Sequence, residues 1–404
     1  MADKPATYRE VFAVPAFRVL FASRSLAIAA NTLRIVALSL LVFAATKSTL
    51  LSAIAFGIGF MPQVAGGLLL GSLADRWRPR PLIVTGFLVE AAVAVLLAAF
   101  AMPIWLTLGL VALAAAFAPI FSGAANRVIS EVLTGDTYVL GRSLATISAG
   151  AAQIAGMAVG GLAVAAAGPR RALLLSALCL LVSASIVAIR LPNFERPPSA
   201  DKRSAVAQSW STNVELFGDR GIRRLLMVQW LPPAFVVGGQ ALIVAYCAHR
   251  GFTPGMTGAM LAAAPAGMLA GDLVVGRLVR PTVRTRLVAP LIALLGIPLI
   301  LLAVNPPPAV SVIALGFGGA GFSYLLGLQQ AFLDAVPVPH RGQAFGLLGT
   351  GLMTLQGLGP LAFGALGQLA GIGPAMAVAG VAALCSAGVW AMASRSRDAI
   401  AVTP

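Results

Sequence analysis

The sequence predicts an all-α membrane protein with twelve transmembrane helices in two pseudo-symmetric six-helix bundles. Three observations carry this prediction. Of the 404 residues, 59% are hydrophobic and 10% charged, with a mean hydropathy of +0.93. A soluble domain carries about 25% charged residues, so this chain has too little polar surface for water and its solvent is lipid. Second, apolar runs of roughly 20 residues, enough to cross a bilayer, recur along the chain between polar or Gly/Pro-rich breaks. Third, Lys and Arg are distributed asymmetrically: with the N-terminus inside, 22 of the 28 fall on the cytoplasmic side, four outside and two within the first span. That bias sets orientation, and an odd number of spans would scramble it.

The first apolar run begins near Phe17 and continues for about 29 residues, too long for the apolar core of a signal peptide. It is expected to stay as a span. The expected spans are 17–45, 50–74, 81–101, 104–124, 141–167 and 171–191, then 224–246, 256–279, 286–304, 308–332, 343–370 and 374–393. Both termini are expected in the cytoplasm and the protein in the inner (plasma) membrane. Residues 192–223, the longest polar segment, divide an N-terminal bundle (1–191) from a C-terminal one (224–404). Within that linker Trp210, Val214 and Phe217 recur at helical spacing. This fits either a short helix on the membrane surface or a partly ordered connection.

The two halves are internally related. Gln153-x-x-Gly156, Gly161 and Ala167-Gly168 recur 203 positions later as Gln356-x-x-Gly359, Gly364 and Ala370-Gly371. Arg18-Val19-Leu20 resembles Arg224-Leu225-Leu226, 206 positions on, and Arg76 has a counterpart in Arg277, 201 on. Duplicated halves place a substrate site near the midplane between them.

Several classes are excluded. The basic residues are spread over many short loops and form no domain, which argues against nucleic acid. Cys179, Cys247 and Cys385 sit in or beside apolar runs without metal-like spacing and are expected to be structural and buried. His249 and His340 are the two histidines and fall at opposite membrane faces, so no metal site and no cofactor are expected. No GxxxxGK[ST] loop occurs, so ATP is not expected to drive the protein directly. Without a polar catalytic cluster, the chain is not expected to be an enzyme.

Charge inside a span is expensive and usually faces a cavity or a partner. Glu90, Arg24 and Arg34 lie clearly within spans, with Asp272 near an inner end. Glu90 is roughly 14 Å into the third span; Arg24 and Arg34 are roughly 10 and 25 Å into the first. By depth Arg24 matches Glu90 better than Arg34 does. Glu90 has three readings: a structural ion pair, a protonatable coupling carboxylate, or a substrate contact. Asn31, Thr32 and Arg34 could form a polar patch that attracts an anionic or carbonyl-bearing substrate, with a structural role for Arg34 left open. Among the remaining polar residues in spans, Gln63, Gln153, Gln240, Tyr324, Gln329, Thr350, Thr354 and Gln356, some could line a cavity while most satisfy neighbouring helices. A mostly greasy cavity with few polar points favours an amphiphilic or hydrophobic substrate over a sugar. The glycine-rich fifth and eleventh spans suit close packing, or two helices that slide against their neighbours.

Between the second and third spans stands Gly71-Ser72-Leu73-Ala74-Asp75-Arg76-Trp77-Arg78-Pro79-Arg80. With twelve spans, related halves and a polar linker, this stretch resembles the signature of the major facilitator superfamily over the whole chain. Arg78 replaces the signature glycine and Pro79 a basic residue. Phe17-Arg18-Val19-Leu20-Phe21, Ala125-Asn126-Arg127 and Pro339-His340-Arg341-Gly342-Gln343 further resemble bacterial efflux members. The antiporter Gly-Pro-x-x-Gly-Gly motif is matched by Gly156-Met157-Ala158-Val159-Gly160-Gly161, without its proline.

The resemblance implies a secondary transporter that alternates access, with proton-coupled export of a small amphiphilic compound favoured over an importer or facilitator. It implies a small-molecule substrate, lipid and protons as partners, and a monomer. It also implies an inner gate built from Gly71, Asp75, Arg76 and Arg80 together with Arg127 and Glu131. There Asp75, an acid at a helix C-terminus where an anion is disfavoured, meets the start of span eleven near Arg341-Gly342-Gln343. Arg76 meets Arg127 and Glu131. Arg78 and Arg80 alternatively serve as plain positive-inside anchors.

Overall fold

The computed structural model describes residues 7–70, 77–194, 213–337 and 340–401, and among these every regular element is helical. In chain order the first half contains α1 Tyr8–Ala13, α2 Pro15–Thr46, α3 Thr49–Gly57, α4 Phe60–Leu70, α5 Pro79–Ala99, α6 Ile104–Val132, α7 Gly135–Ala167 and α8 Pro169–Arg190. The second contains α9 Arg220–Gln240, α10 Ile243–His249, α11 Pro254–Leu278, α12 Pro281–Arg286, α13 Val288–Ala303, α14 Pro308–Ala320, α15 Tyr324–Ala335, α16 Arg341–Ala370 and α17 Ile372–Ala401. Among the described residues nine helical stretches are long and apolar enough to cross a bilayer, or ten if the bent pair α3 and α4 counts as one span. α13, at 16 residues, is apolar but shorter.

Helices dominate because lipid offers no hydrogen bonds, so each segment must satisfy its backbone internally. Prolines open several of them. Pro79, Pro169, Pro281 and Pro308 stand in a first turn, where the missing N–H has no helical partner to lose. The second, seventh and tenth expected spans are each interrupted. The helix is broken between α3, which ends at Gly57, and α4, which begins at Phe60. α9 ends at Gln240 and α10 begins at Ile243. A 3₁₀ turn, Gly321–Ser323, separates α14 from α15.

α9 carries Pro232 and Pro233 inside the helix. Each proline removes one i→i−4 bond, which leaves the carbonyls of Val228 and Gln229 without helical donors. Tyr324, wholly buried, turns its hydroxyl to both: it donates to Val228 O at 2.9 Å and lies 3.5 Å from Gln229 O.

The chain divides into two compact units. Unit 1 comprises residues 1–45, 58–199 and 253–262, and unit 2 comprises 46–57, 200–252 and 263–404. In unit 1, α1 is fixed by a capping box between Thr7 and Glu10 and buries Val11 against Phe17, Leu20, Ile83, Val128 and Ile129. α7 packs closely on α2, where Gly156 faces the Ala29 backbone and a Cβ at Gly160 would sit 3.1 Å from Leu33 Cα. At the start of α11, a Cβ on Gly258 would sit 2.6 Å from Gly161 Cα, so those two backbones touch.

In unit 2, α3 lies on α16. There Gln368 Oε1 accepts from the Thr49 amide at 3.0 Å and from Ser48 Oγ at 3.2 Å, satisfying the start of α3. α9 lies on α16 as well, with Trp230 Nε1 donating to Leu348 O at 2.8 Å. Residues 213–218 of the linker are helical. They bury Leu216 and stack Phe217 on Trp230, whereas Val214 is exposed and Trp210 lies outside the described residues.

The related turns of the halves share backbone geometry. Gly168 and Gly371, 203 positions apart, have φ of 82° and 95°; Lys47 and Gly251, 204 apart, have φ of 52° and 68°. Of the cysteines, Cys247 is buried and Cys179 partly so, but Cys385 is exposed on α17. Its expected burial is corrected: α17 buries Ala375, Met376, Ala379, Ala383 and Ala387 and turns Cys385 away from them.

Candidate functional site

The polar groups of the unit 1 spans gather in two places. The first is at mid-helix. α5 is 21 residues long, about 31 Å at 1.5 Å per residue, and Glu90 stands about 16 Å along it. Asn31 and Arg34 are three apart on α2 and so share a face. Asn31 Nδ2 donates to Glu90 Oε2 at 2.6 Å, and Arg34 NH1 reaches the Glu90 backbone carbonyl at 3.4 Å. The guanidinium thus hydrogen-bonds the main chain while its charge acts on the nearby carboxylate, and the carboxylate itself is hydrogen-bonded by a neutral amide. Asn31 Oδ1 is buried without a hydrogen-bond partner among the described residues. The amide therefore has a donor engaged and an acceptor to spare beside a carboxyl group.

The depth match of Arg24 to Glu90 is corrected by this geometry. α2 is 32 residues long, far more than a bilayer requires. Depth counted from its first residue therefore overstates how far into the lipid each residue lies. Arg24 belongs to the second place, a cavity of about 280 Å³ between α2, α6 and α7. Here Arg24 NH1 donates to Asn126 Oδ1 at 2.6 Å, and Arg142 NH1 approaches the same oxygen at 3.4 Å. Ser25 pairs with Ser148 Oγ beside it. Sequence reasoning misses Asn126 and Arg142 as site residues because 142 lies one residue past the expected start of the fifth span. The helix starts earlier, at Gly135, which sets Arg142 about two turns inside it.

The remaining candidates are scattered. Gln153 stands exposed on α7 and Gln356 half-buried on α16. Asp272 is exposed on α11, late in that helix. Of the expected gate, Gly71, Asp75 and Arg76 lie outside the described residues. Arg127 and Glu131 pair with each other along α6 at 2.6 Å. Arg80 donates to the Ala188 carbonyl and to Asn193 Oδ1, closing the C-terminal end of α8. Among the described residues no group of three His, Cys, Asp or Glu side chains could hold a metal ion.

The Major Facilitator Superfamily model matches residues 20–335. The chain belongs to that superfamily. No curated protein matches it. Among solved structures the chain is similar to a point mutant of the nucleoside transporter NupG, at 14% identity and TM-score 0.75, covering 93% of this chain and 99% of that one. It is similar to a peptide transporter POT solved with sulfate, at 14% identity, TM-score 0.71 and 94% of each chain. A POT family transporter solved with 5-aminolevulinic acid matches at 9% identity and TM-score 0.73, over 94% and 96%. At these identities the likeness is one of fold. The superfamily is one of multi-pass membrane transporters for small molecules, and this chain is a transporter of that kind.

Proposed function

We propose that the protein is a secondary active transporter of the plasma membrane, with twelve spans in two six-helix bundles and both termini cytoplasmic. It works by alternating access and exports a small amphiphilic compound in exchange for protons. The observation that carries the coupling is the Glu90 carboxylate at mid-helix on an uncharged partner, Asn31, at 2.6 Å. The Arg34 guanidinium acts on it by charge but hydrogen-bonds the Glu90 main chain; a carboxylate locked directly to a guanidinium would resist protonation more strongly. An amide can donate to the carboxylate and, after turning over, accept from the carboxylic acid, so both protonation states keep a hydrogen bond. The exposed apolar side chains along α5, α6 and α8, among them Leu88, Val95, Leu113, Leu174 and Leu178, support spans that face lipid. The Gly71, Asp75, Arg76, Arg127 and Glu131 gate belongs to the same proposal and rests on the signature sequence.

The test uses purified protein in proteoliposomes with an imposed pH difference and a panel of amphiphilic dyes and fatty acids. Wild type should accumulate a member of the panel against its gradient. Glu90→Gln should elute as the same folded species, keep substrate exchange at zero pH difference, and lose gradient-driven accumulation. Gradient-driven transport at the wild-type rate by Glu90→Gln would refute the coupling role.

A further inference from the structure

α5 and α6 leave an open groove of about 370 Å³ between them, wholly within unit 1. Its α5 wall is Leu82, Thr85, Val89 and Val93, which recur every three or four residues and so share one helix face. Its α6 wall runs from Leu110 to Phe121. Each wall extends about 16 Å at 1.5 Å per residue, about half the thickness of a bilayer core. Thr85 is the one hydroxyl in the lining, and the rest is aliphatic or aromatic. Glu90 is the one ionisable residue between Leu82 and Phe121, and it turns to Asn31 on α2.

One end of the groove differs. Trp77, 59% exposed, lines it where α5 begins; tryptophan favours the headgroup level of a bilayer. This end is basic however its side chains pair. Residues 71–81 hold three arginines, Arg76, Arg78 and Arg80, and one acid, Asp75, which leaves a net charge of +2. Arg78, the N-cap residue of α5, is exposed next to Trp77. Arg80 donates to neutral oxygens, those of Ala188 and the Asn193 side chain, which brings the end of α8 alongside.

We infer that this groove seats one acyl chain of an anionic phospholipid of the cytoplasmic leaflet, with the phosphate beside Trp77 and Arg78. The length fits one leaflet, and the basic rim at the headgroup level selects an anionic lipid. A volume of about 370 Å³ drawn out over about 16 Å is a narrow slot, the shape of one chain, whereas a helix of a second copy is about 10 Å across. The inference takes the orientation of the chain from the reading above and goes beyond it, since a lipid held at this face is neither the cargo nor the coupling ion.

The experiment places purified full-length protein in phosphatidylcholine nanodiscs. Rising fractions of the lipid are replaced by phosphatidylglycerol or phosphatidylcholine with brominated acyl chains, which quench tryptophan. The Trp77 signal is the difference between wild type and Trp77→Phe. Brominated phosphatidylglycerol should quench it saturably, at a mole fraction at least about fivefold below that needed with brominated phosphatidylcholine, since each Lys or Arg at the surface contributes about that factor. Arg78→Gln should reduce the preference about fivefold. Thr85→Phe fills the slot from its exposed side and leaves every arginine in place. It should abolish the preference while keeping the thermal midpoint in pure phosphatidylcholine. Equal quenching by the two lipids, or a preference that survives Thr85→Phe, would overturn the inference. So would quenching by neither lipid in particles that hold two copies of the chain, which would give the groove to a second copy. Both leaflets of a disc hold the same lipids and no transport is measured, so a failure here is distinct from a failure of the orientation or of the Glu90 coupling.

Discussion

Removing the Tyr324 hydroxyl tests whether the carbonyls that two prolines free within α9 are satisfied by a side chain from α15. In Tyr324→Phe the ring stays and only the O–H leaves. Pro232 and Pro233 have already taken the helical donors from Val228 O and Gln229 O, so these carbonyls then have no hydroxyl in reach. The Val228 contact, at 2.9 Å, is the stronger of the two; the Gln229 contact, at 3.5 Å, is at the limit. Side-chain hydrogen bonds inside membrane proteins contribute about 0.6 kcal/mol on average and up to about 1.7. An unsatisfied buried acceptor costs about 1–3 kcal/mol. The expected loss is therefore about 1–2 kcal/mol, read as a shift in the denaturant midpoint of the purified protein in mixed micelles.

The specific test is a double-mutant cycle with Pro232→Ala. That change restores the N–H four residues after Val228 and gives its carbonyl a helical donor. Tyr324→Phe should then cost less in the Pro232→Ala background than in wild type, with a coupling of at least about 0.5 kcal/mol. Additive effects would show that the hydroxyl does not serve the proline-freed carbonyls.

Two further predictions concern the close approach and the turns. Gly258→Ala places a methyl carbon 2.6 Å from Gly161 Cα, with backbone on the other side; it should destabilise by about 1–3 kcal/mol, as overpacking does, seen as a lower thermal midpoint. At the paired turns, Lys47 has φ 52° and Gly251 φ 68°. A left-handed conformation costs an L-residue about 1–2 kcal/mol, so Gly251→Ala should lower stability and Lys47→Gly should raise it by up to about 1 kcal/mol; equal midpoints for both variants would refute the strain argument.

The helices are legible because lipid imposes a plain rule: a spanning segment is a long apolar run. That rule reads through Gly and Pro, which lipid tolerates, and so it is blind to the interruptions. Pro232 and Pro233 are visible in the sequence, but the donor that makes them tolerable is Tyr324, more than ninety residues away. The candidate site is legible in part. Buried charge selects Glu90, Arg34 and Arg24, and helical spacing puts Asn31 and Arg34 on one face. Which acid meets which base is not legible, since depth along a helix ignores the different overhangs of α2 and α5. Depth pairs Arg24 with Glu90, whereas the structure pairs it with Asn126. Arg142 reads as a loop cation because polarity hides the first turns of α7.

The comparison of the halves explains why the chemistry is lopsided. Their scaffolds agree at small residues and turns, where backbone geometry leaves few choices: Gly168 with Gly371, and Lys47 with Gly251. They part where a side chain can be exchanged without moving the backbone. At one such place unit 1 has Arg24 beside a cavity, and the second half has Trp230 packed on Gly351. In the register that relates Arg18 to Arg224, Arg24 corresponds to Trp230 and Arg34 to Gln240, and the stretch 203 to 206 positions after Glu90 reads Ala293-Leu294-Leu295-Gly296, without a charge. A duplicated scaffold that kept its packing on both sides could lose costly buried charges from one side without disturbing the fold. Those that persist in unit 1, at Arg24, Arg34 and Glu90, are therefore not required by a helical scaffold that the second half builds without them.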